Sequence, residues 1–175
     1  MKDIAKLGMY LLIVCSVSGI SLAVTNHFTA PRIASEMERR KNEAMSDVLP
    51  AASKFVKSKT HEKVFEGFNY AGARVGYVFE TLASGYSSDI EILFAIDNEY
   101  IVTGVKVLSQ SETPGLGSKV SGDEFLKQFK GKSREKIMLK KAGGDIDAVT
   151  SATISSKAVT EAVRSRIYEF QKDTK

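Results

Sequence analysis

The chain has 175 residues, a formal charge of +4, 43% hydrophobic residues and 26% charged residues, the balance of a folded rather than a disordered chain. The excess of 25 Lys and Arg over 21 Asp and Glu is small and scattered, which argues against a nucleic-acid partner. One cysteine and two histidines exclude a disulfide within the chain and leave no Cys/His cluster for zinc or an iron–sulfur centre, so no metal site is expected.

The first element is apolar. Residues 1–6, "MKDIAK", precede "LGMYLLIVCSVSGISLAVT", Leu7 to Thr25, which carries no charge. As a helix this run spans roughly 28 Å at about 1.5 Å per residue, close to a bilayer core. Lys2 and Lys6 lie before it, and Arg32 is the first charge after it. The positive-inside rule then puts residues 1–6 in the cytoplasm, 7–25 across the membrane and the rest outside. The rival reading is a cleaved signal peptide, although its apolar region is usually shorter and no A-x-A site ends this one. A lipoprotein signal at Cys15 fits poorly, because Val14 precedes the cysteine where a small residue is needed.

Residues 26–60 read as a linker and a helix. "NHFTAPRI" is a short exit stopped by Pro31, and "ASEMERRKNEAMSDVL" is a charged helix with Met37, Ala44, Met45 and Val48 as apolar contacts, ended by Pro50. Residues 61–175 form the outer domain. "HEKVFEGFNY" and "ARVGYVFETLA" read as strands, and "SGYSSD" as a turn. "IEILFAID" and "YIVTGVKVLSQ" are two further strands joined by a hairpin at "NE". "GDEFLKQFKG" is a short helix presenting Phe125, Leu126 and Phe129 on one face, and "EKIMLKK" a further strand. "SSKAVTEAVRSRIYEFQK" closes the chain as a helix whose Val159, Ala162, Val163, Ile167 and Phe170 follow helical spacing. Strands joined by hairpins and flanked by helices give an α+β domain with a mainly antiparallel sheet.

Two loops offer chemistry. "SETPGLGSKV", Ser111 to Val120, combines a φ-fixing Pro114 with Gly115 and Gly117, which permit positive φ and close approach of a ligand to the backbone. Lys119 adds a positive charge. The loop suits a phosphate or a flat heterocycle, or is a plain turn; it lacks the G-K-[ST] of a P-loop. The second loop, "DAVTSATISS", Asp147 to Ser156, gathers five hydroxyls at the start of the last helix. One Ser or Thr suffices to cap a helix. The same N-terminus also favours a bound phosphate.

This second loop resembles the flavinylation motif D-x-x-[ST]-[GAS]-A-T, and "ETPGLG" is similar to the second motif of the same covalent FMN-binding family. With the N-terminal anchor, the chain resembles the G subunits of Rnf ion-translocating electron-transport complexes, related to the C subunit of the Na⁺-translocating NADH:quinone reductase. The resemblance implies that a flavin transferase takes FMN from FAD and esterifies its phosphate to Thr153. Asp147, Thr150, Ala152 and Thr153 fall on transferase-recognition positions. Ser151 stands where glycine is most usual, which raises a question about the local backbone angle. Ser151, Ser155 and Ser156 are expected to donate hydrogen bonds to the phosphate or to cap the helix. Glu112, Thr113, Gly115, Leu116, Gly117, Ser151 and Ala152 would approach the flavin. Lys119 supports the phosphate or an anionic flavin, or is a solvated surface lysine. The implied role is an electron relay in a ferredoxin:NAD oxidoreductase complex of a bacterial or archaeal cytoplasmic membrane, with other membrane and peripheral subunits as partners. No catalytic residue and no independent catalysis are expected. The alternatives are a stand-alone anchored flavoprotein and a non-redox anchored adaptor.

Overall fold

The computed structural model describes residues 2–115 and 117–174. It divides into two compact units, residues 1–40 and 41–175. Helix α1 (Lys2–Val48) begins in the first unit and ends in the second. Within the first unit every side chain from Leu7 to Thr25 is exposed. Among the described residues, α1 is the one helix long and apolar enough to cross a membrane. The stop expected at Pro31 does not occur: the helix runs through it. A proline removes one rung of the ladder, whereas the turns on either side keep theirs, and 47 helical residues absorb the loss. Beyond it Glu36 pairs with Arg39 at 2.8 Å and with Arg40 at 3.1 Å along one helical face.

The second unit starts with the last turns of α1. Ala44, Met45 and Val48 are buried, as their spacing predicts, but Met37 is 58% exposed because it lies ahead of this unit. Five strands follow: β1 (Lys54–Lys57), β2 (Val64–Phe68), β3 (Arg74–Ser84), β4 (Asp89–Asp97) and β5 (Val102–Ser109). They form one antiparallel sheet in chain order. β1 was not visible in the sequence, being four residues long with a lysine at each end. The β4–β5 hairpin stands where expected: the Asp97 carboxylate accepts the N–H groups of Glu99 and Ile101, each at 2.9 Å.

Both faces of the sheet are covered, which explains why β4 is a nearly unbroken apolar run. Ile90, Ile92, Phe94 and Ile96 face one layer, and Leu93 and Ala95 face the other. The second layer is the end of α1. There Thr103 donates its hydroxyl to Val48 O at 2.6 Å, and a Cβ on Gly104 would press within 2.9 Å of Val48 Cα. Ion pairs of Lys41 with Glu80 and of Asp47 with Lys106 flank this contact. The first layer is helix α3 (Thr153–Asp173), which buries Val159, Val163, Ile167 and Phe170, with Ala162 partly covered. The rings of Phe79 and Phe94, paired across β3 and β4, stack at 4.9 Å, and Phe170 meets Phe79 edge-on at 5.0 Å.

Between β5 and α3 the chain makes α2 (Asp123–Leu126) and three short 3-10 turns, 117–121, 127–129 and 140–142. Phe125, Leu126 and Phe129 are buried together, as read from the sequence. The strand expected at 135–141 is absent. Ile137 and Leu139 instead plug the core beneath α3, and the backbone is satisfied locally by Lys140 N–H to Ile146 O and Ile146 N–H to Met138 O. Phe94→Ala is expected to cost about 3–5 kcal/mol of stability through the cavity left beside Phe79, measured by urea unfolding of the chain in mild detergent.

Candidate functional site

The site is built around Glu112, which the glycine loop carries inward until it is only 5% exposed. Its Oε1 accepts the N–H of Ser87 at 2.9 Å and that of Ser88 at 3.1 Å, both in the β3–β4 turn. Its Oε2 accepts the hydroxyl of Ser155, in the first turn of α3, at 2.8 Å. Burial pushes the carboxyl up, but the N–H of Ser87, the Ser155 hydroxyl and the N–H groups of Ser88 and Tyr86 together hold it below the ordinary carboxylate range. The loop then turns on itself. Gly115, at φ +77°, donates its N–H to Ser118 Oγ at 2.9 Å. Gly117 needs no positive φ; a Cβ there would stand 2.8 Å from Glu112 Cβ, and one on Gly85 would stand 3.0 Å from Glu112 Cδ. These two glycines make room for the buried carboxylate.

The hydroxyl-rich loop enters α3 through a left-handed residue. Ser151 has φ +66°, so the position where the motif most often has glycine does require that backbone region. Ala152, buried, is the residue that precedes the helix, and no side chain caps it. The N–H groups of Thr153, Ile154 and Ser155 therefore lack intrahelical partners. Ser155 and Ser156, expected to donate to the phosphate or to cap the helix, both have partners within the protein. Ser155 is committed to Glu112, and Ser156 donates to Ala152 O at 2.8 Å while accepting from Val149 N–H at 3.0 Å. Both are fully buried. Ser156 is thus turned into the protein, whereas Ser155 holds Glu112 and also lines the cavity between the two loops. Thr153 is exposed, and its hydroxyl makes no hydrogen bond among the described residues.

A cavity of about 460 Å³ joins the two loops, lined by Glu112, Thr113 and Gly117 on one side and Ser151, Ala152, Thr153 and Ile154 on the other. Its volume falls in the range of small-ligand sites. Gly115 shapes the loop, and Leu116 lies outside the described residues. Sequence reasoning missed Tyr86, which also lines this cavity from the β3–β4 turn and is 73% exposed. A second cavity, of about 550 Å³, holds Asp147 and Thr150 together with Lys119, Asp123 and Gln128. Lys119 thus shares a cavity with Asp147 and Thr150 in the first half of the motif. Asp147 pairs with Lys140 at 2.6 Å, and its N–H donates to Gln128 Oε1 at 2.7 Å.

Residues 85–167 match the FMN-binding domain family. The G subunit of the Na⁺-translocating ferredoxin:NAD⁺ oxidoreductase complex of Acetobacterium woodii is 33% identical, over 97% of this chain and 93% of that one. The G subunit of the proton-translocating ferredoxin:NAD⁺ oxidoreductase complex of Clostridium ljungdahlii is also 33% identical, over 90% and 86%. Among solved structures, NqrC of Shewanella oneidensis shares the fold at a TM-score of 0.50 and 23% identity, covering 69% of this chain and 67% of that one.

The caged carboxylate carries a pH signature. Its folded-state value lies below the ordinary 4.5, so the stability it contributes is complete above about pH 4.5 and is lost as pH falls through that lower value. Glu112→Gln is expected to cost about 1–3 kcal/mol near neutral pH and to flatten the acid limb of stability relative to the unaltered chain, read from urea midpoints across pH 3–7.

Proposed function

The chain belongs to the family of G subunits of ion-translocating oxidoreductase complexes, and on that premise we propose that it carries one FMN esterified to Thr153 and relays electrons within such a complex. FMN is its cofactor, and the chain is a membrane-associated electron-transfer subunit. The observation that carries the attachment site is the Thr153 hydroxyl: exposed, unbonded, and at the uncapped start of a 21-residue helix that lines the cavity shared by both loops. The donor set fits a phosphodiester, since the free N–H groups and the positive end of the helix dipole favour an anion at that point.

Attachment needs FAD and a flavin transferase as co-reactants. The Thr153 Oγ–P bond forms, the phosphoanhydride P–O bond of FAD breaks, AMP leaves, and the hydroxyl proton passes to a base supplied by the transferase. The transferase would read Asp147, Thr150 and Ala152 beside the acceptor. When bound, the flavin supplies reversible electron transfer. The chain's own residues do the rest. Thr153 tethers the group, the α3 N–H groups hold the phosphodiester charge, and Glu112, Thr113, Gly117, Tyr86 and Ile154 wall the cavity. The caged Glu112 fixes the relative position of both loops. No residue of this chain has to act as an acid or base in the relay.

The apolar part of α1 would anchor the chain beside the other membrane and peripheral subunits. It holds no Asp, Glu, Lys, Arg or His between Leu7 and Thr25 and so offers no charged ion path of its own. Relatives named for sodium and for proton translocation are equally identical to it, so overall identity does not track the coupling ion. The charge asymmetry around Leu7–Thr25 supports an outer domain. Protease added to intact spheroplasts is expected to digest residues 32–175 and spare the N-terminal end; protection of the domain would reverse this orientation.

Chain co-produced with a flavin transferase is expected to weigh more than its sequence by one FMN less water, with the added mass mapping to the Thr153 peptide. Thr153→Ala is expected to show no added mass. It is also expected to unfold within about 0.5 kcal/mol of the unaltered chain, because no capping bond is lost. Added mass on another residue, or unmodified Thr153 beside an active transferase, would overturn the assignment.

A further inference from the structure

The stretch from Asp147 to Thr150 leads into the acceptor, yet its backbone is held by few bonds. Among the described residues, Val149 N–H goes to Ser156 Oγ, and Val149 O accepts from Ala152 N–H. Asp147 is held from a different element. Gln128 accepts the N–H of Asp147 at 2.7 Å and donates to its carbonyl at 3.3 Å, so one amide side chain engages both polar groups of that backbone unit. Neither Ala148 nor Thr150 has a backbone–backbone bond of this kind. Upstream, Ile146 is tied by its own N–H and carbonyl to Met138 and Lys140. Gln128 thus tethers the backbone at the start of the motif, while Lys140 pairs with the Asp147 carboxylate.

The residue that supplies this tether is itself fixed. Gln128 sits in the 3-10 turn 127–129, with Phe125 and Leu126 buried just before it and Phe129 buried just after it. Those three aromatic and aliphatic side chains lock the turn to the core, leaving the amide half-buried on the wall of the second cavity with Asp147 and Thr150. An amide bonded through both its oxygen and its nitrogen has one orientation, and it holds the two peptide groups on either side of the Asp147 Cα.

We propose that Gln128 is a positioning residue for flavin attachment: it presents the Asp147–Thr150 segment to the flavin transferase in a single backbone conformation. The proposal rests on the reading of Thr153 as the acceptor. Losing the grip leaves Asp147 and Thr150 chemically intact but removes both backbone bonds of Asp147, so the transferase has to order that part of the segment on binding. The loss then falls on recognition of the chain and not on the transfer step.

The test uses the full chain in mild detergent with FAD, Mg²⁺ and a purified flavin transferase, following mass gain with time at several chain concentrations. Gln128→Ala and the length-matched Gln128→Met are expected to raise the KM for the chain about five- to tenfold while kcat stays within twofold. Gln128→Glu keeps the acceptor of the 2.7 Å bond and is expected to recover most of the loss. A role limited to stability would shift thermal unfolding of Gln128→Met without moving KM, and that result overturns the proposal, as do superimposable rate curves for all three variants. Failure of the unaltered chain to gain mass at Thr153 overturns the acceptor reading and this proposal with it; an unchanged KM for Gln128→Met beside normal loading of the unaltered chain overturns this proposal alone.

Discussion

One buried carboxylate holds three separate stretches of this chain together. Glu112 takes two N–H groups from the β3–β4 turn and a hydroxyl from the first turn of α3, while it belongs to the glycine loop after β5. A carboxylate accepts and never donates, so its four lone-pair directions can only be met by donors that converge on it. Removing it from water is costly unless they do. The neighbouring glycines follow from the same demand: Gly85 and Gly117 stay without side chains because Glu112 fills the space that a Cβ would take. The cavity that Thr113 and Thr153 line from opposite sides is therefore tied to satisfying one charge.

The sheet supplies the rigid platform for this arrangement. Its two covered faces give the β3 and β4 strands apolar neighbours on both sides, so the turn that joins them, Gly85 to Ser88, projects from a stiff hairpin. α3 lies along one face through Val159, Val163, Ile167 and Phe170, which sets the position of its first residue to within the slack of a packed core. The end of α1 is seated on the opposite face through Val48, Gly104 and Thr103. Residues 41–48 thus contact β5 directly, and β5 leads into the glycine loop.

Elements whose signals are local were legible in the sequence. The α3 stripe repeats at helical spacing within 12 residues, the Asn98-Glu99 hairpin joins two β-branched runs, and the apolar segment at Leu7–Thr25 is defined by its own composition. The two loops that meet in the cavity were also visible, through Pro114 with its glycines and through the hydroxyl cluster. What was hidden depends on partners far along the chain. The bonds of Glu112 span 24, 25 and 43 residues, and nothing near it in sequence announces a buried acid. Ser87 and Ser88 read as ordinary turn residues, and Gln128 as a polar position on a short helix. The inward commitment of Ser155 and Ser156 was hidden for the same reason, since a hydroxyl at a helix start looks like a cap until its partner is known. At Pro31 and at 135–141 local propensity was overruled, first by the length of α1 and then by the need of Ile137 and Leu139 for the core.

A sheet whose spatial order repeats its chain order has a kinetic consequence. Each strand pairs with the one made just before it, so every hairpin closes over a short loop, and the five strands can zip up in sequence. The last helix follows them in the chain. Its docking brings Ser155 to Glu112 across 43 residues and completes the wall that Thr153 shares with the glycine loop. The threonine thus depends on the docking of α3 for its surroundings, and a chain cut short within α3 would keep the seven-residue motif while losing the cavity around it.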